Sequence, residues 1–127
     1  MYARYIKITF KDKLAKEMMI TYSNSVADAE GIKNGLLLRF TIDQSELTAI
    51  LVLVFANYED FNNDHKNVAL PVIESCRNQG LKVELADGNV VGDIAASTKL
   101  VEFLKKKGTF YNVWKHPLKT ANTGSNI

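Results

Sequence analysis

Hydrophobic and polar residues alternate over residues 2–10, where Ile6, Ile8 and Phe10 share one parity. A period of two predicts a β-strand with one buried face. After Asp12, a residue type that caps helices, the period changes to that of a helix. The predicted helix runs from about residue 13 into residues 23–25 or slightly beyond, and its apolar stripe consists of Leu14, Met18, Tyr22 and Val26, widened by Ala15 and Met19.

Two further strands are predicted in the middle of the chain. Residues 36–43 alternate again, whereas residues 49–56 are eight successive apolar residues, a pattern typical of a strand that is buried on both faces. Eight residues are too few to cross a bilayer. The connection 44–46 is short enough for a hairpin, so these strands should pair antiparallel.

The second half of the sequence repeats the helix-then-strand order. Asn57 is placed to cap a short helix, and Pro71 suits the first turn of a second helical segment that ends at Gly80. Residues 81–85 form the fourth predicted strand, and Asp87-Gly88 indicates a tight turn after which residues 89–91 fold back. The predicted element order is therefore βαββαβ, which mixes strands and helices in an α+β arrangement.

Composition indicates one domain over all 127 residues, of which 46% are hydrophobic. We expect a core over residues 1–96, a helix and an extended aromatic arm over 97–118, and a disordered tail over 119–127. The net charge of +2 is uneven. Residues 1–96 carry 10 Lys/Arg and 13 Asp/Glu (net −3), whereas residues 97–127 carry 6 lysines and Glu102 (net +5). Cys76 is the single cysteine and the N-terminus lacks a secretory signal, so we expect a cytoplasmic protein.

Over roughly residues 2–91, the chain resembles the antibiotic biosynthesis monooxygenase family of the dimeric α+β barrel superfamily. The resemblance rests on the order of elements, on the segment GIKNGLLLRF that enters strand two and on the segment FANYEDFNNDH that leaves strand three. The resemblance implies an α+β, ferredoxin-like fold with a four-stranded antiparallel sheet. It also implies a homodimer formed through that sheet, with a small hydrophobic molecule held between sheet and helices. The family includes cofactor-free oxygenases and haem-degrading members. Haem degradation is disfavoured, because Phe55 replaces the strand-three Trp and Tyr5 stands where those enzymes carry Asn.

Candidate site residues follow from position and chemistry. His65 is a candidate general base, with a reference pKa near 6.5, although a lone histidine at a helix start more often makes a structural hydrogen bond. Aromatic residues suit an apolar ligand pocket, but are also ordinary core residues. The aromatic candidates are Tyr5, Phe55, Tyr58 and Phe61.

Lys7 and Arg39 are the candidate cations, because each lies within a strand rich in apolar residues, where an unpaired buried charge is costly. Each either faces solvent, pairs with an acid, or holds the anionic end of a ligand. No metal or cofactor is predicted, because the two histidines stand 51 residues apart and the glycines form no phosphate-binding loop. The basic run 105–107 is interpreted as a solvated helix end, with no nucleic-acid or membrane partner expected.

Three functions remain open. The first is binding of a small, largely apolar organic molecule, fatty-acid-like or polyketide-like, with a carboxylate or carbonyl end. The second is cofactor-free monooxygenation of an electron-rich aromatic, with His65 or a tyrosine moving a proton. The third is a structural or interaction role for the C-terminal arm. Binding is favoured, because the sequence provides apolar lining but no acid and base at a visible mutual spacing.

Overall fold

The structure, a computed structural model, describes residues 1–106 of a chain that divides into two units, Met1–Val90 and Val91–Ile127. The first unit contains four strands and four α-helices in the predicted order. Their bounds are β1 (Tyr2–Thr9), α1 (Lys13–Tyr22), α2 (Asp28–Lys33), β2 (Leu36–Asp43), β3 (Thr48–Phe55), α3 (Tyr58–Asp64), α4 (Leu70–Asn78) and β4 (Lys82–Asn89).

The sheet has the order β2-β3-β1-β4, and every neighbouring pair is antiparallel. Strands β1 and β3 therefore lie in the centre, with Ile6 of β1 opposite Leu51 on one side and Leu85 on the other. This is the predicted ferredoxin-like α+β fold. The hairpin between β2 and β3 is confirmed as well.

Each of the two helical segments that connect strands, one between β1 and β2 and the other between β3 and β4, contains one π-helical turn. Ser23–Ala27 joins α1 to α2, and His65–Ala69 joins α3 to α4, so that each pair of helices is continuous. A π-turn carries an extra residue per turn and is often found at functional sites. The predicted caps are confirmed, because Asp12 accepts a hydrogen bond from the Ala15 amide and Asn57 accepts one from the Asp60 amide, both at 2.8 Å.

The predicted apolar stripe of the first helix is confirmed for Ala15 and Met19 and wrong for Leu14 and Met18. Leu14 and Met18 are about two-thirds exposed, whereas Lys16 is buried and Ala15 and Met19 pack against the core. The ammonium group of Lys16 donates to the Ser45 carbonyl at 2.7 Å and to the Asp43 carboxylate. These partners lie beyond the helix, so its own spacing could not reveal that a lysine belongs to the buried face.

The predicted turn at Asp87-Gly88 is also wrong. Strand β4 runs straight through both residues, because β1 offers each a partner: Arg4 lies opposite Asp87 and Ala3 lies opposite Gly88. Gly88 does not adopt the positive φ that the predicted turn would need. The Asp87 carboxylate accepts hydrogen bonds from Tyr2 and Arg4, which stabilises the extended strand.

The helices of the first unit cover only one face of the sheet. Buried residues on that face form two clusters, one around Ile6, Ile8 and Cys76 and the other around Phe55 and Phe61. The opposite face, which we call the open face, is rich in apolar side chains that remain 37–44% exposed. These side chains are Tyr5, Leu38, Phe40 and Ile42.

The described part of the second unit contains α5 (Leu100–Lys106), which confirms the third predicted helix. The Ser97 side chain accepts a hydrogen bond from the Lys99 amide at 3.1 Å ahead of this helix. The predicted extended arm and disordered tail lie outside the described residues.

Candidate functional site

A cavity of about 70 Å³ lies between the sheet and the helices of the first unit. Its floor consists of β-strand side chains that include Ile6, Leu51 and Leu53, and its walls include Met19 of α1 and Ile73 of α4. The lining is mainly apolar because the even-numbered residues of β1, and the β3 residues that pair with them, face the helices. The space is partly open to solvent.

Both π-turns contribute to this cavity. Ser23 and Ala27 come from the first π-turn, and Val68 and Ala69 come from the second. A wider turn displaces the side chains that follow it relative to a regular α-helix. The two π-turns therefore help to shape the cavity between the two helical segments and the sheet.

A buried ion pair forms part of the wall. Asp28, the first residue of α2, and Arg39 of β2 both line the cavity. Arg39 donates to Asp28 through Nε at 2.8 Å and through Nη2, and it also donates to Thr41 at 2.7 Å and to Asn24 at 2.8 Å. Its guanidinium is thus occupied on every nitrogen, and its charge is compensated within the protein.

Asp64, the last residue of α3, brings a second carboxyl group to the cavity and is 4% exposed. Within the described part of the chain, its one hydrogen-bond donor is the Asn34 amide, at 3.4 Å. Burial raises the pKa of the Asp64 carboxyl, although the Asn34 bond and the Arg4 charge act in the opposite direction. Asp64 therefore differs from Asp28, because it has no cation bonded to it among the described residues.

Next to the cavity, Arg4 organises a group of side chains that we call the Arg4 cluster: Tyr2, Arg4, Phe61, His65 and Asp87. The Arg4 guanidinium lies 4.5 Å from the centre of the Phe61 ring and donates to Asp87 at 3.0 Å. The His65 ring stacks on Phe61 at 5.8 Å. Arg4 is buried and contacts Asp87 on β4 and Phe61 on α3. It therefore links these two elements at one end of β1.

His65 contributes its Nδ1 atom to this cluster, 2.7 Å from Nη1 of Arg4. A guanidinium can only donate, so Nδ1 accepts the bond and the neutral ring carries its proton on Nε2. Burial lowers the pKa of His65, and the Arg4 charge lowers it further, whereas Asp87 acts in the opposite direction. To act as a base, His65 would have to release its Arg4 bond.

The predicted site residues fall into separate places. Among them, Arg39 alone lines the cavity. Tyr5 and Lys7 have the parity of the open face, which the cavity does not touch. The remaining aromatic candidates and the histidine lie around the Arg4 cluster: Phe55 is fully buried, Tyr58 is 54% exposed, and Phe61 and His65 are in contact.

Sequence reasoning missed the acids Asp28 and Asp64, as well as Arg4. Two of these three, Arg4 and Asp64, have a signal in the sequence that could have found them. Arg4 shares the parity of Ile6 and Ile8, and Asp64 follows Phe61 by three residues on a helix, so each places a charge on an otherwise apolar face.

No cluster of three or more potential metal ligands occurs among residues 1–106. In the same part of the chain, no helix is both long and apolar enough to span a membrane.

Comparisons with known proteins find relatives in structure but not in sequence. No protein-family model matches the chain, and no curated protein does. A dimeric ferredoxin-like protein from an uncultured marine organism is 11% identical, with a TM-score of 0.56 over 75% of this chain and 98% of that one. SnoaB, a cofactor-independent oxygenase from Streptomyces nogalater, is 10% identical, with a TM-score of 0.54 over 75% and 97%.

A third solved structure is a monooxygenase from Streptomyces coelicolor in complex with the ligand nanaomycin D. It is 6% identical, with a TM-score of 0.55 over 76% of this chain and 92% of that one. At such low identity these likenesses establish the fold. The resemblance drawn from the sequence is therefore confirmed as a ferredoxin-like α+β architecture.

Proposed function

We propose that this protein binds a small, largely apolar organic molecule in the cavity between sheet and helices. The observation that carries the proposal is the cavity itself, whose lining is mainly aliphatic yet includes a few polar groups that converge on it. Binding sites for small organic molecules combine these two properties. An apolar occupant would be held by burial, and the polar groups would orient it.

The size of the cavity limits the occupant. A water molecule in a cavity requires about 15 Å³ of this kind of volume. The cavity volume of about 70 Å³ therefore accommodates roughly five water molecules. Five water molecules displace about as much volume as one aromatic ring, at roughly 30 Å³ each in the liquid. A single ring would fit inside, whereas a longer fatty-acid-like or polyketide-like molecule would extend through the open side.

The chemistry of the walls favours a neutral polar end over a carboxylate. Arg39 already donates to Asp28, Thr41 and Asn24, so an anionic ligand would have to displace these partners. Asp64 would repel an anion once it is ionised. A carbonyl or hydroxyl group avoids both costs.

We also propose that the chain is a homodimer. A sheet that is apolar on both faces requires a cover on each, and the helices of the first unit cover only one. A second copy placed on the open face would bury Leu38, Phe40 and Ile42. The dimeric ferredoxin-like neighbour supports this arrangement. We further propose a cytoplasmic location, where the buried thiol of Cys76 would remain reduced.

Native mass spectrometry of freshly purified protein, followed by solvent extraction, tests the binding function. We expect a co-purifying small molecule in the wild type and its loss in Ala27→Leu, because Ala27 lines the cavity. Ala29→Leu is the matched control, since Ala29 is also half-buried on the helix but does not line the cavity. An extracted compound that is equally abundant in both variants would exclude this cavity as its site.

Cofactor-free monooxygenation is the second candidate function. It is supported by the fold shared with a cofactor-independent oxygenase and by the apolar cavity, which would shelter a substrate from water. Turnover of an electron-rich aromatic should then survive chelation and require no added cofactor. If His65 moves the proton, His65→Ala should lower the rate without unfolding the chain, and normal turnover in that variant would remove His65 from the mechanism.

A further inference from the structure

Asp64 is a buried acidic residue of the cavity lining with few hydrogen-bond partners of its own. The residue as a whole is 4% exposed, and among residues 1–106 its carboxyl group accepts a single long hydrogen bond, from Asn34. A carboxyl group can engage in about four hydrogen bonds. Asp28, on the same cavity wall, has its two oxygens bound by Arg39.

The position of Asp64 on the helix does not explain its burial. It precedes the second π-turn but makes no capping hydrogen bond there. Leucine or another apolar residue would suit this apolar surrounding better, because a buried polar group without partners is destabilising. An incompletely satisfied carboxyl group in a cavity is therefore available to a ligand.

Charged groups around Asp64 act in both directions. Arg4 on β1 favours its ionised form, and Glu30 on α2 opposes it. The charge of Arg4 is already shared with Asp87 through an ion pair. The Asp28–Arg39 pair in the cavity wall is internally neutral, and burial together with the Arg4 charge lowers the pKa of the neighbouring His65. Burial dominates these influences and favours the neutral acid.

We infer that Asp64 determines ligand specificity, by donating a hydrogen bond from its neutral carboxyl group to a carbonyl oxygen of the bound molecule. This inference rests on the proposed function and narrows it to ligands with a ketone-like acceptor at the buried end. The Asn34 amide holds one carboxyl oxygen, which leaves the other to carry the proton toward the ligand. Ionisation of Asp64 removes the donor, so affinity for the carbonyl falls as pH rises.

Two probes of nearly the same shape test this inference by NMR titration. Acetophenone carries a carbonyl oxygen where α-methylstyrene carries a methylene group. The quantity to compare is the dissociation constant of α-methylstyrene divided by that of acetophenone. At low pH this ratio should be roughly two- to tenfold larger in the wild type than in Asp64→Leu. Asp64→Asn retains an N–H donor and should keep the preference.

The pH profile separates recognition from a structural role. In the wild type the preference for acetophenone should decline as pH rises through the Asp64 pKa, whereas in Asp64→Asn it should be constant. Equal binding of both probes in all three proteins would overturn the role of Asp64 and leave the binding function intact. Binding of neither probe to the wild type would overturn the inference together with the single-ring cavity that it requires, whereas a co-purifying molecule lost in Ala27→Leu would still support the broader binding function.

Discussion

Nη1 of Arg4 lies 2.7 Å from Nδ1 of His65, so the folded protein holds a histidine against a buried cation. Protonation of His65 would place two positive charges side by side. The same contact identifies His65 as a structural partner of the strand-one arginine. Its pKa is below the usual 6.5 because burial and Arg4 both disfavour the charged ring.

His65 should therefore make the stability of the fold depend on pH. In the unfolded chain His65 binds a proton below about pH 6.5, whereas the folded chain resists protonation until a lower pH, so stability falls as pH drops through this window. His65→Asn cannot titrate but can still accept from Arg4. Urea unfolding from about pH 8 to pH 5 should show the wild type losing stability relative to this variant. A constant difference across that range would contradict the assignment.

The buried Asp28–Arg39 pair gives a second prediction. Arg39→Met leaves the Asp28 carboxylate buried without its cation, which should lower the free energy of unfolding by about 3–5 kcal/mol. Asp28→Asn combined with Arg39→Met should recover part of that loss, because the uncompensated charge is gone.

Lys33→Met is the matched control for this experiment. Lys33 and Glu30 also form an ion pair, at 3.6 Å, but both side chains are about half exposed. Its removal should change stability by less than about 0.5 kcal/mol in chemical denaturation at neutral pH. A loss in Arg39→Met as small as this would show that the pair has no structural importance.

A third prediction concerns assembly through the open face. Phe40→Glu places a charge among apolar side chains that the proposed second copy would cover, so it should convert the dimer to a monomer at micromolar concentration. Met18→Glu is the control, because Met18 is 64% exposed on the helical side of the sheet. Sedimentation velocity should give a dimer for the wild type and for Met18→Glu. A monomeric wild type would refute the dimer.

The sequence predicted the strands of the hairpin and the helix caps well because these depend on local signals. Strand β2 alternates with period two from Leu38 to Ile42, and Asp12 and Asn57 cap helices within three residues of themselves. The turn predicted at Asp87-Gly88 failed because the same dipeptide is held extended by strand β1. Local turn chemistry was overridden by pairing with residues more than 80 positions away.

The candidate site was less predictable, because its polar groups acquire their roles from distant partners. The sequence indicates that Arg39 is a cation within a strand, but only the fold shows that it donates to the Asp28 carboxylate. Asp64 shares a helix face with Phe61, but only the fold shows that this face borders a cavity. The π-turns that bring Ala27 and Ala69 to the cavity carry no sequence signal that we could read.

The most direct test of the account is a methyl-resolved NMR titration of the wild-type protein with acetophenone. Binding in the cavity should shift the methyl signals of its lining, such as those of Leu51, Val68 and Ile73, and leave those of Leu38 and Ile42 on the open face unchanged. Shifts confined to the open face would contradict the claim that the space between sheet and helices is a ligand site, and the absence of any saturable shift would contradict a cavity that accepts a single ring.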